Sequence, residues 1–89
     1  MRPRNKHTAI VIRVPTSFLN GMPIGTFILM LGAELKVWWP DAKLSIMEGP
    51  YHDIEWWGLS PNEDLVYRCE ITAIANYRKG ITYGPRPSH

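Results

Sequence analysis

The sequence predicts a single small α+β domain, a mixed sheet with the element order β-α-β-β-β and one helix packed on one face. Three observations predict this fold. Short apolar runs with a period of two indicate strands, one longer segment with apolar residues every three or four positions indicates a helix, and turn residues separate them. With 89 residues, 45% hydrophobic and 20% charged, the chain has enough apolar material for one core and too little length for two domains.

The first strand is predicted over residues 8–14, which are rich in β-branched side chains. The alternation places Ile10, Ile12 and Val14 on one face and Ala9, Val11 and Arg13 on the other. Apolar residues on both faces are typical of a strand in the middle of a sheet. Pro15 ends the strand, and a turn-rich segment follows it.

A helix is predicted from Pro23, which suits a first helical turn, to the residue before Pro40, which stops it. Its apolar residues form one stripe at spacings of three and four: Ile24, Phe27, Ile28, Leu31, Leu35 and Trp38. Such a stripe indicates a helix that faces the core. A helix between the first two strands also predicts a right-handed crossover and therefore a parallel pair.

Two further strands are predicted over residues 43–48 and 53–58, joined as an antiparallel hairpin around Gly49. A three-residue loop pairs Ile46 with Ile54 and Leu44 with Trp56, so that their apolar side chains share one face. The opposite face then carries Lys43, Ser45, Met47, Asp53, Glu55 and Trp57.

The segment after residue 59 contains conflicting signals. Ser60 to Glu63 form a capping box with a proline at the first helical position, which favours a helix. From Tyr67 to Tyr77 every odd position is apolar or aromatic, which favours a strand. Because the alternation is longer, one helical turn over residues 61–64 followed by a strand is the principal prediction. The alternative is a helix, which gives a truncated ferredoxin-like order, β-α-β-β-α.

The net charge of +2 is a cancellation between basic ends and an acidic middle. The first thirteen residues carry four cations and no acid, residues 78–89 carry three, and all eight acids lie between. We therefore expect one domain over residues 1–89 with basic arms at 1–7 and 80–89. One cysteine, no signal sequence and no uninterrupted apolar segment of about 20 residues predict a cytoplasmic protein without a membrane partner.

The sequence shows no motif of a catalytic, nucleotide-binding or metal-binding site. Glu48, His52, Asp53 and Glu55 lie close together in the chain, but without the spacing of a metal site, and are read as solvated charges. Cys69 alternates with core residues and is read as buried and unreactive. No enzymatic activity, catalytic residue, metal or cofactor is therefore predicted.

The tryptophans indicate an interaction surface. If Trp56 faces the core, Trp57 must lie on the other face of the sheet, which one helix cannot also cover. Exposed aromatic residues within a charged rim are typical of protein interfaces. The predicted protein-binding residues are Trp57, Glu55, Asp53, Met47, Lys43 and, at the rim, Trp39. The predicted function is a non-enzymatic protein-binding module that forms a homodimer through this face and acts as an inhibitor, adaptor or accessory factor, a class that includes virus-encoded proteins.

The alternative prediction is nucleic-acid binding through the basic ends, with aromatic side chains of the last strand stacking on bases. The residues predicted for this function are Arg2, Arg4, Lys6, Arg78, Lys79 and Arg86. The acidic middle of the chain disfavours it, because carboxylates on the sheet repel phosphates.

Overall fold

The computed structural model of the chain describes residues 8–58 and 60–80. In chain order its elements are β1 (Ala9–Val14), α1 (Thr16–Leu19), α2 (Ile24–Trp38), β2 (Lys43–Glu48), β3 (Asp53–Trp57) and α3 (Glu63–Arg78). A mixed three-stranded sheet with helices on it confirms the predicted α+β class. The predicted arms lie outside the described residues, except for Gly80, which follows α3 with a φ of 81°.

The sheet has the strand order β2-β1-β3, with β2 parallel and β3 antiparallel to the central β1. The central position of β1 and its parallel pairing with β2 are confirmed. The predicted hairpin is wrong, because β1 separates β2 from β3. The face assignment is correct nonetheless, since Ile12 pairs with Ile46 on one side and with Ile54 on the other. The parallel strands are direct neighbours, so the sheet is not the split form of the ferredoxin-like fold.

The connection from β2 to β3 crosses the end of β1 at close range. Gly49 donates its N–H to the Val14 carbonyl at 2.9 Å, and a Cβ atom added to Gly49 would lie 3.0 Å from the Cβ of Arg13. Four residues from Gly49 to His52 bridge two strands that β1 holds about 10 Å apart. A side chain at position 49 would therefore crowd Arg13, so the close approach of the chain favours glycine there.

We expect Gly49→Ala to lower the free energy of unfolding by about 1–3 kcal/mol, because the added methyl group forces the backbone away from Arg13. Chemical denaturation measures this change. Ser17→Ala is the control, since Ser17 is exposed on α1 and a surface substitution of this kind changes the free energy of unfolding by within about 0.5 kcal/mol. Equal effects of the two substitutions would contradict the close crossing.

The last element is a helix, so the predicted strand over residues 65–78 is wrong and the alternative order β-α-β-β-α describes the main elements. The side chain of Asn62 caps α3 by accepting a hydrogen bond from the Leu65 N–H at 3.3 Å. The buried residues of α3 are Val66, Cys69, Glu70 and Ala73, a spacing of three and four. The helical period was hidden in the sequence because a glutamate occupies one of its core positions.

Both long helices pack on the same face of the sheet, where the core lies. The core consists of Ile10, Ile12 and Val14 from β1 together with Leu19, Met22, Phe27, Met30, Leu31, Leu35, Val66, Cys69 and Ala73. In α2 the predicted stripe is rotated, because Met30 is buried whereas Ile28 and Trp38 are exposed. No helix among the described residues is long and apolar enough to cross a membrane.

Candidate protein-binding face

The second face of the sheet is free of helices from the described part of the chain; we call it the open face. The strand register arranges its side chains in three rows, Lys43–Ala9–Trp57, Ser45–Val11–Glu55 and Met47–Arg13–Asp53. Five of the six residues predicted to bind protein therefore lie together on one surface. They are brought together through β1 and not through the hairpin that the sequence suggested.

The charges of the open face are paired across β1 and β3. The Arg13 guanidinium donates from Nη1 to Asp53 Oδ2 at 2.7 Å and from Nη2 to Glu55 Oε1 at 3.4 Å. All three side chains are partly exposed, so each pair contributes at most about 1 kcal/mol to stability. With Lys43 as the second cation, the four charged groups of the face balance.

Apolar side chains occupy two opposite corners of the open face. Trp57 is 55% exposed and Met47 is 39% exposed, and the half-buried Val11 lies between them. The open face therefore combines an apolar diagonal from Trp57 through Val11 to Met47 with charged side chains at its other two corners. Such a mixture of apolar and polar groups is found in protein interfaces.

Trp39 does not belong to the open face, which corrects its predicted place at the rim. It follows α2 on the helical side of the sheet, where its ring meets that of Trp56 edge-on at a centroid distance of 5.5 Å. Trp39 is partly buried against the core. The sequence could not show this, because the contact joins residues that only the three-stranded sheet brings together.

The residues predicted for nucleic-acid binding are not brought together by the described structure. Arg78 and Lys79 are exposed at the end of α3, while Arg2, Arg4, Lys6 and Arg86 lie outside the described residues. Tyr67 and Tyr77 lie on a helix, so the stacking platform expected from a last strand is absent from the described residues. The balanced charge of the open face also gives no attraction to a phosphate backbone.

A second polar cluster lies on the helical side, between the β2–β3 connection and α3. Glu70 is fully buried, and both of its carboxylate oxygens lie 3.0 Å from His52 Nε2. The rings of Phe18 and Tyr67 flank the imidazole at 5.2 and 6.1 Å. The sequence does not predict this pair, because the alternation from Tyr67 to Tyr77 places Glu70 at an even, solvent-facing position of a strand. An open cleft of about 440 Å³ beside it is lined by His52, Asp53, Ile54, Glu63, Asp64 and Tyr67.

Burial controls the ionisation of the groups in this region. It raises the pKa of Glu70, although the hydrogen bond and charge of His52 act in the opposite direction. Burial, with the nearby charges of Glu34 and Glu70, raises the pKa of the Cys69 thiol to about 11. Cys69 is therefore a protonated, buried thiol. Among the described residues no three side chains are arranged to hold a metal ion.

The four residues predicted to be solvated hairpin charges each have a hydrogen-bond partner in the structure, and they do not converge on one point. His52 binds Glu70, Asp53 and Glu55 bind Arg13, and Glu48 accepts a hydrogen bond from the Thr16 hydroxyl at 2.7 Å. No protein-family model, curated protein or solved structure matches the chain. Among the described residues, the open face is the surface whose composition best indicates a function.

Proposed function

We propose that the protein is a non-enzymatic binding module that docks another protein on the open face. One observation carries the proposal: the register of three strands gathers Trp57, Met47 and Val11 on a surface that no described element covers. Trp57 is 55% exposed on this surface, and tryptophan is among the residue types most enriched in the energetically dominant positions of interfaces.

The charge pattern supports a protein as the occupant. Arg13 is held between Asp53 and Glu55, so that the face offers paired charges rather than one sign. Paired charges favour the mixed polar surface of a protein over a polyanion or an anionic lipid. Inhibitor, adaptor and accessory roles all act through such a surface, and all are included in this proposal.

Site-specific photocrosslinking tests the proposal in cells that express the protein. With a photoreactive phenylalanine analogue at position 57, we expect a discrete crosslinked product that contains one partner protein. Position 38 is the matched control, because Trp38 is also 55% exposed but lies on the helical side. Adding Val11→Asp to the position 57 variant is expected to abolish the product, since it puts an unpaired charge at the centre of the face.

The identity of the crosslinked chain separates the functions under this proposal. A different protein identifies the target of the module, and a second copy of the chain supports self-association through the open face, as the sequence predicted. Crosslinking to nucleic acid, or equal products from positions 57 and 38, would contradict docking of a protein at this face.

A further inference from the structure

Within the described residues β2 and β3 are the two edge strands of the sheet, and β2 is the edge that pairs in parallel with β1. Lys43 donates its N–H to the Thr8 carbonyl and Gly49 donates to the Val14 carbonyl, so odd-numbered residues of β2 point their backbone groups towards β1. Along a strand the N–H and C=O groups of successive residues point alternately to the two sides of the strand. The N–H and C=O groups of Leu44, Ile46 and Glu48 therefore point away from the sheet, where the described residues offer no further strand.

This edge has few of the features by which proteins usually prevent strand pairing. Residues 43–48 contain no proline, and every one of them pairs in register with β1, without a bulge. Charged side chains occur only at its two ends, Lys43 and Glu48. An unblocked strand of six residues at a sheet edge is a template for another strand.

The helix beside this edge has an exposed apolar face. Leu29 is 71% exposed and Ile28 is 39% exposed, and Gly25 and Gly32 lie next to them at helical spacing. A Cβ atom added to either glycine meets nothing within 4 Å. We call these four residues the α2 outer face. No charged residue occurs from position 24 to 33, which is unusual for an exposed helix surface.

The α2 outer face points towards the free edge of β2. On the other side of the helix, Phe27 and Met30 are buried in the core that α2 shares with α3. At about 100° per residue, Gly25 and Gly32 lie roughly 150° from these two residues. Because α2 packs against both α3 and β2, its side away from α3 lies above the edge strand.

We propose that two copies of this chain join through β2 and the α2 outer face, so that their sheets form one continuous six-stranded sheet. A twofold axis perpendicular to the sheet makes the two β2 strands antiparallel, and the outward backbone groups of Leu44, Ile46 and Glu48 exchange hydrogen bonds with those of the second copy. Each interface is then isologous, the arrangement expected of a closed dimer.

The same axis brings the helices into contact at a normal packing distance. Because α2 is the crossover helix between the parallel strands β1 and β2, we expect its axis to lie above that pair. With strands about 4.8 Å apart, the two α2 axes would then be roughly 10 Å apart, which is within the usual range for packed helices. An antiparallel pair centred between Ile28 and Leu29 sets Gly25 opposite Gly32 of the second copy, and Ile28 opposite Leu29 of the second copy. The face is therefore complementary to itself.

The dimer also enlarges the open face without depending on its proposed function. One open face measures roughly 14 by 17 Å, which is small beside the ~800 Å² that each partner contributes to a standard interface. In the six-stranded sheet both open faces lie on the same side and adjoin, so the available surface doubles.

Solution mass tests the dimer, with a charge placed on the α2 outer face. We expect the wild-type chain to have twice its mass of 10.2 kDa by sedimentation equilibrium, and Leu29→Glu to have the monomer mass. Val37→Glu is the matched control, because Val37 is also 71% exposed on α2 but lies about 80° around the axis from Leu29 and more than two turns from the centre of the proposed helix contact. Both sites are exposed, so far-ultraviolet circular dichroism should show retained helix in each variant.

Amide hydrogen exchange tests the strand contact separately. In the wild-type dimer we expect slow exchange at the amides of Leu44, Ile46 and Glu48, and fast exchange of the same amides in Leu29→Glu. A wild-type monomer at all concentrations, equal masses of Leu29→Glu and Val37→Glu, or unprotected β2 amides would each overturn the proposal. Position 57 crosslinking remains informative in that case, since a partner on the open face does not require the dimer.

Discussion

Phe27→Ala is expected to lower the free energy of unfolding by about 3–5 kcal/mol, which is a large part of the stability of a small domain. Phe27 is fully buried and lies at the centre of the helical layer. Its ring also meets the Phe18 ring edge-on, at 6.5 Å and an interplanar angle of 79°. Truncation removes the apolar contacts of the ring and leaves a cavity between α1 and α2.

Urea denaturation followed by circular dichroism measures this loss as a lower midpoint at an unchanged slope. Val37→Ala is the control on the same helix, and because Val37 is largely exposed we expect a change within about 0.5 kcal/mol. Similar losses for the two variants would show that α2 does not present Phe27 to the core as described.

Most of the sheet could be predicted from the sequence because strand faces depend on a period of two, which a single chain displays directly. Ile10, Ile12 and Val14 are buried as the alternation requires, and Trp56 and Trp57 lie on opposite faces. Pairing could not be predicted in the same way. Ile46 and Ile54 satisfy the same hydrophobic pattern whether they pair directly or across Ile12.

For the helices, the buried face itself could not be fully predicted, because it depends on which elements pack against each helix. In α2, Leu29, Met30 and Val37 are apolar but lie off the predicted stripe, so period alone cannot rank Ile28 against Met30. The packing of α2 against both β2 and α3 leaves Met30 buried and Ile28 exposed. In α3, Glu70 is a core residue only because His52, eighteen positions earlier, reaches its carboxylate. Such a contact has no local signal in the sequence.

The stability of the protein relative to Glu70→Gln is expected to decrease as the pH rises. Burial raises the pKa of Glu70 above its usual value of 4.5, so the folded state binds this proton more tightly than the unfolded state does. The resulting stabilisation is fully present below the unfolded pKa and is lost as the pH rises through the folded pKa. Glutamine keeps the shape of the side chain and an oxygen acceptor for His52 but does not titrate.

Denaturant unfolding of both proteins between pH 4 and pH 8 measures the effect, with a difference in slope of up to about 1.4 kcal/mol per pH unit between the two pKa values. Removing the imidazole with His52→Gln should extend the pH range over which stability falls to higher pH, because His52 is the group that lowers the pKa of Glu70 in the folded state. If the free energy of unfolding changed with pH in the same way for the wild-type protein and Glu70→Gln, the Glu70 carboxyl would have the same pKa in the folded and the unfolded state. A narrower pH range of falling stability in His52→Gln would contradict the conclusion that the imidazole lowers the pKa of Glu70.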